Sequence, residues 1–340
     1  MNETTEAILA GMPLPALIIG ADERIGAMNT GARTLIGGAA SGRHHAMVLR
    51  QPEVQTALTA ALTEGRAGQA RHTMPGPSQD NVYRVWVTPL PRGQGVVCAF
   101  EDLTAAEQIG NMRREFVANV SHELRSPLTA LLGFIETLRG AARDDAAARD
   151  RFLAIMEREA SRMNRLIQDL LHLSRVEAEE RVRPTGQDNL PDLLRSTISG
   201  LRPVSEAAGV TVELQGEAVD QVVPGDPDQL VQVFQNLIEN AVKYGGSGGQ
   251  VTVRLSPDAL PKVAALRIDV IDRGEGIDPI HIPRLTERFY RVDGHRSREQ
   301  GGTGLGLAIV KHIVLRHRGR LKIDSEPGQG STFSVILPLA

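Results

Sequence analysis

The sequence has a single cysteine, no strong excess of either charge and no long apolar run. Cys98 cannot form an internal disulfide, so a reducing compartment is expected. The net charge of -3 provides no basic surface for phosphates, and we expect no nucleic-acid partner. The most apolar early run, 14–20, is far shorter than the ~20 residues of a membrane helix. Glu3 and Glu6 replace the basic start of a secretory signal, so we expect a cytoplasmic protein without a membrane span.

The length and composition indicate several ordinary globular domains. The 340 residues are 41% hydrophobic and 23% charged, which is typical of folded proteins. At roughly 100–150 residues per domain the chain has room for two or three. Changes in pattern along the chain predict three domains, with boundaries at 1–104, 105–180 and 188–340.

The first region has the pattern of a small α/β domain. Apolar runs at 16–19 and 25–28 predict two strands joined by a turn. Residues 83–88 alternate with a period of two, the pattern of a half-buried strand. A turn rich in proline and glycine then leads to a further strand at 96–100. The segment 17–37 and the exit at 101–104 resemble a PAS domain. An unspecified α/β input domain is the alternative.

The middle region has the heptad spacing of two long helices separated by Gly140 and the stretch 143–150. The two apolar seams are Val117, Val120, Leu124, Pro127, Leu131, Phe134 and Leu138, and then Leu153, Met156, Ala160, Met163, Ile167 and Leu170. This pattern predicts an antiparallel helical hairpin. One hairpin cannot cover its own seam, so we expect a homodimer in which two hairpins form a four-helix bundle. Pro127 is expected to bend the first helix, and a linker is expected at 177–189.

A histidine lies on the outer face of the first predicted helix. With Val117 at position a, His122 falls at position f, next to Glu123 and one turn before Ser126. A lone histidine on a polar face is usually a solvated side chain. A neutral imidazole can also attack phosphorus with a ring nitrogen while a carboxylate takes the proton from the other nitrogen. The residues at this position are therefore open to both interpretations.

The string 116–129, Phe-Val-Ala-Asn-Val-Ser-His-Glu-Leu-Arg-Ser-Pro-Leu-Thr, resembles the H-box of the sensor histidine kinases. The resemblance implies that His122 accepts a phosphoryl group and that Glu123 assists it. Ser126 stands where that family commonly has Thr or Asn, the position that aims water at a phosphorylated partner. Phosphatase activity is therefore left open.

One face of a predicted helix near the C-terminus is polar. Asn236, Asn240, Lys243 and Tyr244 are spaced i, i+4, i+7 and i+8, so their side chains converge, while the other face is apolar. The segment 236–244 resembles the N-box of the same family. The resemblance implies that Asn240, helped by Asn236, binds Mg²⁺, and that Lys243 and Tyr244 contact the phosphates and the rest of the nucleotide. An ordinary solvated helix face is the alternative.

Four further segments resemble nucleotide-binding boxes of that family in the same order: 272–277, 288–291, 302–307 and 328–333. A carboxylate can accept a hydrogen bond from the adenine amino group, and glycines allow close approach of backbone. A glycine-rich start of a helix suits a triphosphate, and the polar stretch 293–300 suits a mobile lid. The resemblance implies nucleotide contacts from Asp272, Gly274, Gly276, Arg291, Thr303, Gly304, Leu305, Gly306 and Thr332.

Over 105–340 the chain resembles the phosphate-regulon type of sensor kinase. The resemblance implies a C-terminal α/β sandwich of the GHKL ATPase type, ATP and Mg²⁺ as cofactors, and an aspartate on the receiver domain of a response regulator as phosphoryl acceptor. A nucleotide-binding dimeric scaffold and a phosphatase-biased regulator are the alternatives. The sequence has no P-loop and no motifs of the eukaryotic type of protein kinase.

The remaining histidines show no metal-ligand spacing. His44, His45, His72 and Cys98 have no paired or regularly spaced partners in the sequence. We therefore expect ordinary core or surface placement for them, and no zinc site.

Overall fold

The structure, a computed structural model, describes residues 3–76, 80–140, 142–180, 182–216, 221–245, 248–261, 263–292 and 302–339. The chain divides into two compact units, 1–118 and 119–340. Across the described ranges, no helix combines the length and the apolar character needed to cross a bilayer. The predicted lid, 293–300, lies outside the described residues.

The first unit is built on a five-stranded antiparallel sheet with the strand order β2-β1-β5-β4-β3. Its strands are β1 (Ala16–Ile19), β2 (Ile25–Met28), β3 (Gly68–Met74), β4 (Asn81–Pro89) and β5 (Val96–Asp102). Its helices are α1 (Glu3–Ala10), α2 (Thr30–Ile36), α3 (His45–Val48) and α4 (Pro52–Thr63), and the long helix α5 (Thr104–Arg139) begins in this unit. The predicted strands and the hairpin between β4 and β5 are confirmed.

Alternation along β4 explains why this sheet forms. Val85 and Val87 are buried and face the core, whereas Trp86 between them is exposed. Their cross-strand partners on β5 are Phe100 and Cys98, both buried. Burial raises the pKa of the Cys98 thiol to about 12, so this cysteine is an inert core residue.

A buried amide fixes the start of the sheet. Asn29 follows β2, and its Oδ1 accepts from the Ala32 N–H at 2.9 Å, which caps α2, and from the Ala16 N–H at 3.0 Å. Its Nδ2 donates to the Leu14 carbonyl at 2.8 Å. Because all of these groups are on different segments, Asn29 ties β1, β2 and α2 together.

The second unit combines the helical hairpin with a second five-stranded sheet of order β11-β12-β10-β9-β7. The sheet is antiparallel except for β7 and β9, which are parallel. Its strands are β7 (Thr211–Gln215), β9 (Gln250–Leu260), β10 (Val263–Asp272), β11 (Arg320–Glu326) and β12 (Gly330–Pro338). The helices are α6 (Ala146–Glu179), α7 (Leu190–Ala207), α8 (Pro227–Gly245) and α9 (Gly306–Arg316), and β6 (Gln187–Asn189) pairs with β8 (Val222–Pro224).

The polar and apolar faces of α8 fall as the sequence pattern predicts. Leu230, Phe234 and Leu237 are fully buried against the sheet and neighbouring helices. The polar residues at 236, 240 and 243 are only partly buried and lie on another face. This arrangement points the amides of α8 away from the core and toward the site described below.

One sequence prediction in the second unit needs correction, and one helix was missed. The stretch 177–189 was predicted to be a linker, but α6 extends to Glu179 and the strand β6 occupies 187–189. The helix α7 was not predicted. Its N-cap Asn189 accepts from the Asp192 N–H, and the proline in the first turn suits a helix start.

The predicted seam of α6 is only partly buried in a single chain. The residues that α6 buries most fully are Leu166, Leu173 and Val176, and the helix packs against α9. Leu153 and Ile167, which the heptad pattern places in the seam, remain 49% and 45% exposed. The α6 helix therefore has two apolar faces, of which one is covered within the chain. The first helix of the hairpin continues through Pro127 as one α-helix.

Candidate functional site

A cavity of about 380 Å³ lies in the second unit between α8, the end of β10 and the segment before α9. The helix α6 also contributes to its wall. The sequence-predicted residues that line it are Asn236, Asn240, Lys243, Tyr244, Asp272, Gly276, Arg291, Thr303, Gly304 and Gly306. Residues that are spread over 71 positions of the chain are thus brought together around one cavity.

Asp272 is a buried carboxylate at the end of β10. Its Oδ1 accepts from the Gly274 N–H at 2.9 Å and from the Ser331 N–H at 3.2 Å, and among the described residues no donor contacts Oδ2. Burial raises the pKa of this carboxyl, while the two backbone donors act in the opposite direction. The geometry leaves one oxygen of a desolvated carboxylate for a donor in the cavity.

Glycines allow the backbone to close around Asp272. A Cβ on Gly245 would overlap the Asp272 side chain, and one on Gly330 would overlap the Asp272 carbonyl. Gly274 does not line the cavity, because it packs on the end of α8, where its Cβ would lie 2.6 Å from the Tyr244 carbonyl oxygen. We assign to Gly274 the close packing of this turn.

The side-chain amide of Asn236 has an unsatisfied buried donor. Its Nδ2 is buried and has no hydrogen-bond partner among the described residues. A Cβ on Gly306, the first residue of α9, would lie 3.2 Å from the Asn236 Oδ1. The start of α9 therefore closely faces this amide. The side chain of Lys243 lies nearby on the same wall, with Nζ 4.7 Å from the centre of the Tyr244 ring.

The donor set around the cavity fits an adenine nucleotide with a divalent cation. Amide oxygens of Asn236 and Asn240 are hard ligands of the kind that Mg²⁺ prefers. The helix α9 begins at a glycine-rich segment without a side-chain cap, so its first N–H groups are available for phosphate oxygens. Together with the unpartnered Asn236 amide, these features match the predicted ligand.

A hydrogen bond ties the segment before α9 to the hairpin. The Thr303 hydroxyl donates to Asp169 Oδ2 at 2.7 Å, and the Leu305 N–H donates to the same hydroxyl at 3.3 Å. Burial raises the pKa of the Asp169 carboxyl, against the lowering effect of the Thr303 hydroxyl. Leu305 itself is fully buried and does not line the cavity, so its side chain supports the segment rather than the ligand.

The predicted phospho-acceptor and its neighbour differ in exposure. His122 is exposed, as its heptad position predicts, and Ser126 is exposed as well, with its hydroxyl donating to the His122 carbonyl at 3.2 Å. Glu123 is largely buried and forms ion pairs with Arg162 Nη2 at 2.7 Å and Arg291 Nη2 at 3.3 Å. Because Arg291 lines the cavity, the residue after His122 is bonded to the wall of the cavity.

Thr332 lies away from the cavity. It follows Ser331 on β12, and successive residues of a strand point to opposite faces. Ser331 and Phe333 line the cavity, and Ser331 donates its N–H to Asp272. The structure therefore places Ser331, rather than Thr332, beside this carboxylate.

Sequence reasoning missed the contribution of α6. Arg165 and Asp169 line the cavity from the hairpin, together with Glu239 from α8. No local motif marks the two α6 residues, because their position depends on how the hairpin packs against α9. Ile277 and Tyr290 also line the cavity, and their motifs could have revealed them.

Three family models match the chain in sequence order. The PAS fold matches residues 9–108, the His Kinase A (phospho-acceptor) domain matches 112–179, and the histidine kinase-, DNA gyrase B- and HSP90-like ATPase matches 225–340. The second match contains His122 and the third contains every residue predicted to line the nucleotide cavity.

Similar proteins include two curated relatives and a solved structure. The chain is 43% identical over 236 residues to the phosphate regulon sensor protein PhoR of Pseudomonas aeruginosa, covering 68% of this chain and 52% of PhoR. It is 39% identical over 253 residues to the sensor histidine kinase WalK of Bacillus subtilis, covering 72% of this chain and 39% of WalK. The crystal structure of histidine kinase ThkA in complex with response regulator protein TrrA is 20% identical, with a TM-score of 0.51 and 98% coverage of both chains, and supports the fold. The chain thus spans about half or less of the length of these two curated relatives.

Proposed function

The chain belongs to the sensor histidine kinases, and on that premise we propose that it uses ATP to phosphorylate His122 and passes the phosphoryl group to an aspartate of a response regulator. The observation that carries this proposal is the ion pair between Glu123 and Arg291. It joins the neighbour of an exposed histidine to the wall of the nucleotide cavity.

The nucleotide is held by residues from four segments. Asp272 accepts from the adenine amino group through Oδ2, and Ser331 supports that carboxylate. Asn240 and Asn236 supply oxygens for Mg²⁺. The residues that line the cavity and would contact the phosphates are Lys243, Tyr244, Arg291, Thr303, Gly304 and Gly306. When bound, the nucleotide supplies the phosphoryl group and Mg²⁺ neutralises charge on it.

His122 performs the transfer with one ring nitrogen. The nitrogen forms a bond to the γ-phosphorus while the bond from that phosphorus to the bridging oxygen breaks, and ADP leaves. The proton on the other ring nitrogen passes to or is held by the Glu123 carboxylate. His122 is exposed, so it is accessible both to the ATP-binding part and to a receiver domain.

Glu123 must first leave its two arginine partners. In this conformation its carboxylate is shared by Arg162 and Arg291, and the Thr303 hydroxyl is bonded to Asp169. Two groups that we assign to the phosphates are therefore occupied by carboxylates of the hairpin. We infer that nucleotide binding competes with these contacts, so that binding releases Glu123 from Arg291 and loosens the ATP-binding part from α6.

A second copy of the chain covers the free face of the hairpin. Several large apolar side chains on both helices are at least 40% exposed in one chain: Leu128, Leu132, Ile135, Leu153, Ile167 and Leu171. Pairing two hairpins into a four-helix bundle would bury them. We assign sensing to 1–104, dimerisation and phosphotransfer to 105–180 and nucleotide binding to 188–340. The cytoplasmic location stays a prediction.

Labelling with γ-³²P-ATP tests this function. We expect Mg²⁺-dependent label that is lost in acid, as a phosphorus–nitrogen bond would be, and that disappears in His122→Ala. His172→Ala is the matched control, because His172 is the other exposed histidine of the hairpin helices and should keep the label. Label that survives His122→Ala would overturn the proposal. Nucleotide binding without any label would favour the scaffold, and dephosphorylation of a receiver without label would favour the phosphatase.

A further inference from the structure

Three potential metal ligands converge in the first unit, outside the nucleotide site. Glu23, His44 and His45 each offer one ligand atom, and these atoms lie within 4.8 Å of one another. The Glu23 Oε2 is 2.8 Å from the His44 Nε2 and 3.9 Å from the His45 Nε2. The two imidazole rings are stacked with centroids 4.7 Å apart. The sequence prediction that no ligand set surrounds these histidines is therefore wrong, because the third member is 21 positions away.

The backbone holds these residues together independently of any ligand. The His45 N–H donates to the Glu23 carbonyl at 3.0 Å, and Arg24 and His44 form an antiparallel β-bridge. Glu23 has a φ of 61°, which is uncommon for a residue with a side chain. A site on two paired segments needs little reorganisation before it binds.

The ligand types and distances favour a zinc-like ion. Two imidazole nitrogens and one carboxylate oxygen form a ligand set typical of Zn²⁺ sites with an open position, whereas Mg²⁺ and Ca²⁺ prefer oxygen ligands. Tetrahedral ligands at about 2.0–2.1 Å from zinc lie about 3.3 Å apart. The distance from Glu23 to His44 is about half an ångström shorter than this value, and the distance from Glu23 to His45 is about half an ångström longer.

One of the three ligands is buried, and the other two are exposed to solvent. The His45 side chain is 5% exposed, while those of His44 and Glu23 are 41% and 52% exposed. The exposed side of the cluster leaves room for ion entry and for a water as fourth ligand.

Metal binding at His44 changes which ring nitrogen carries the proton, and this change is the main energetic cost of binding. Its Nδ1 accepts from the Ala46 N–H at 3.2 Å, so in the absence of metal Nε2 carries the proton and donates to Glu23. A metal on Nε2 moves the proton to Nδ1 and removes this long capping bond from the four-residue helix α3. Loss of a cap costs about fivefold in affinity, which is small against two nitrogen ligands and one oxygen ligand.

We propose that Glu23, His44 and His45 bind one Zn²⁺ or a similar divalent transition-metal ion, with a fourth position open to solvent. This would make the first unit a metal-binding module. The site is separate from the nucleotide cavity, and its existence does not depend on the proposed kinase activity.

Titration of the full chain with ZnCl₂ and CoCl₂ tests the site. Isothermal titration should give one Zn²⁺ site with a dissociation constant at or below the micromolar range. Bound Co²⁺ should show the visible absorption of a tetrahedral complex. Glu23→Gln and His44→Gln should each weaken binding at least tenfold. Glu64→Gln, an exposed carboxylate of the same unit, should bind like wild type.

The same experiment can overturn the proposal. A Zn²⁺ site that persists unchanged in both Glu23→Gln and His44→Gln would place the metal elsewhere, and millimolar binding would mean that the cluster is only a hydrogen-bonded pair. Circular dichroism of each variant shows whether it is folded. Both substituted residues are at least 41% exposed, so the fold should be retained.

Discussion

Replacing Asp272 by Asn should weaken ATP binding through a defined reversal of one hydrogen bond. The Asp272 Oδ1 already accepts from two backbone N–H groups, those of Gly274 and Ser331. In Asp272→Asn the amide oxygen must take this place, because the amide nitrogen would meet two donors there. The amide nitrogen then takes the place of Oδ2 and presents a donor to the adenine amino group, which is itself a donor.

The size of the effect follows from the hydrogen bond that is lost. A hydrogen bond to a charged group contributes about 1.5–3 kcal/mol. At 1.4 kcal/mol per factor of ten, the dissociation constant for ATP should rise about 10- to 150-fold. Inosine triphosphate carries a carbonyl oxygen where adenine has the amino group, and the new amide N–H can donate to it. The preference for ATP over inosine triphosphate should therefore fall or reverse.

The variant should not be less stable than wild type at neutral pH. Burial raises the pKa of the Asp272 carboxyl in the folded state. A raised pKa means that its contribution to stability is fully present below the unfolded pKa of about 4 and is lost as the pH rises through the folded pKa. At neutral pH the desolvation of this carboxyl therefore lowers stability, and Asn removes this cost.

Calorimetric titration with both nucleotides, alongside thermal melts from pH 4 to 8, checks these expectations. Asp278→Asn is the matched control, since Asp278 is an exposed carboxylate that does not line the cavity. The reasoning is refuted if Asp272→Asn binds ATP within twofold of wild type, or keeps the same ratio of affinities for the two nucleotides.

Changes at Asp169, Leu132 and Gly276 each perturb one feature of the second unit. Asp169→Ala removes the carboxylate that holds the Thr303 hydroxyl, so ATP should bind about tenfold more tightly in the same titration; weaker binding would contradict the competition. Leu132 is 55% exposed in one chain, and Leu132→Glu puts a charge on the face proposed to pair, so sedimentation should show monomers; an intact dimer would exclude this face from the dimer interface. Gly276→Ala should lower the free energy of unfolding by about 2 kcal/mol or more in urea, because φ is 70° and a Cβ would overlap a β11 carbonyl. Gly328 also has a positive φ, 80°, but a Cβ there would meet open space, so Gly328→Ala should lower the free energy of unfolding by less. Equal losses in the two variants would argue against the overlap.

The sequence pattern alone predicted the features that depend on the period of a single helix or strand. The alternation at 83–88 predicted β4, and the spacing of the amides at 236 and 240 placed both on the wall of one cavity. The heptad position of His122 predicted an exposed side chain, and the structure has it exposed. In each case the period of the helix or strand decides the direction of the side chain.

The remaining features depend on packing between segments that are far apart in the sequence, and the sequence pattern did not predict them. Asp169 joins the nucleotide cavity only because α6 packs against α9, and no motif at 169 indicates this. Glu23 lies beside His44 because a β-bridge joins Arg24 to His44, and no sequence spacing indicates this bridge. The resemblance implies a nucleotide contact from Thr332, but its neighbour Ser331 lines the cavity. A motif gives the order of residues, and it does not say which face of β12 each residue occupies.

Mapping of the phosphorylated residue tests the central claim most directly. Wild-type chain treated with ATP and Mg²⁺ should be digested at neutral pH and analysed by mass spectrometry, so that phosphohistidine survives. We expect one phosphoryl group, on the ring of His122. A phosphoryl group on the hydroxyl of Ser121 or Ser126, or none anywhere in 116–129, would contradict the account.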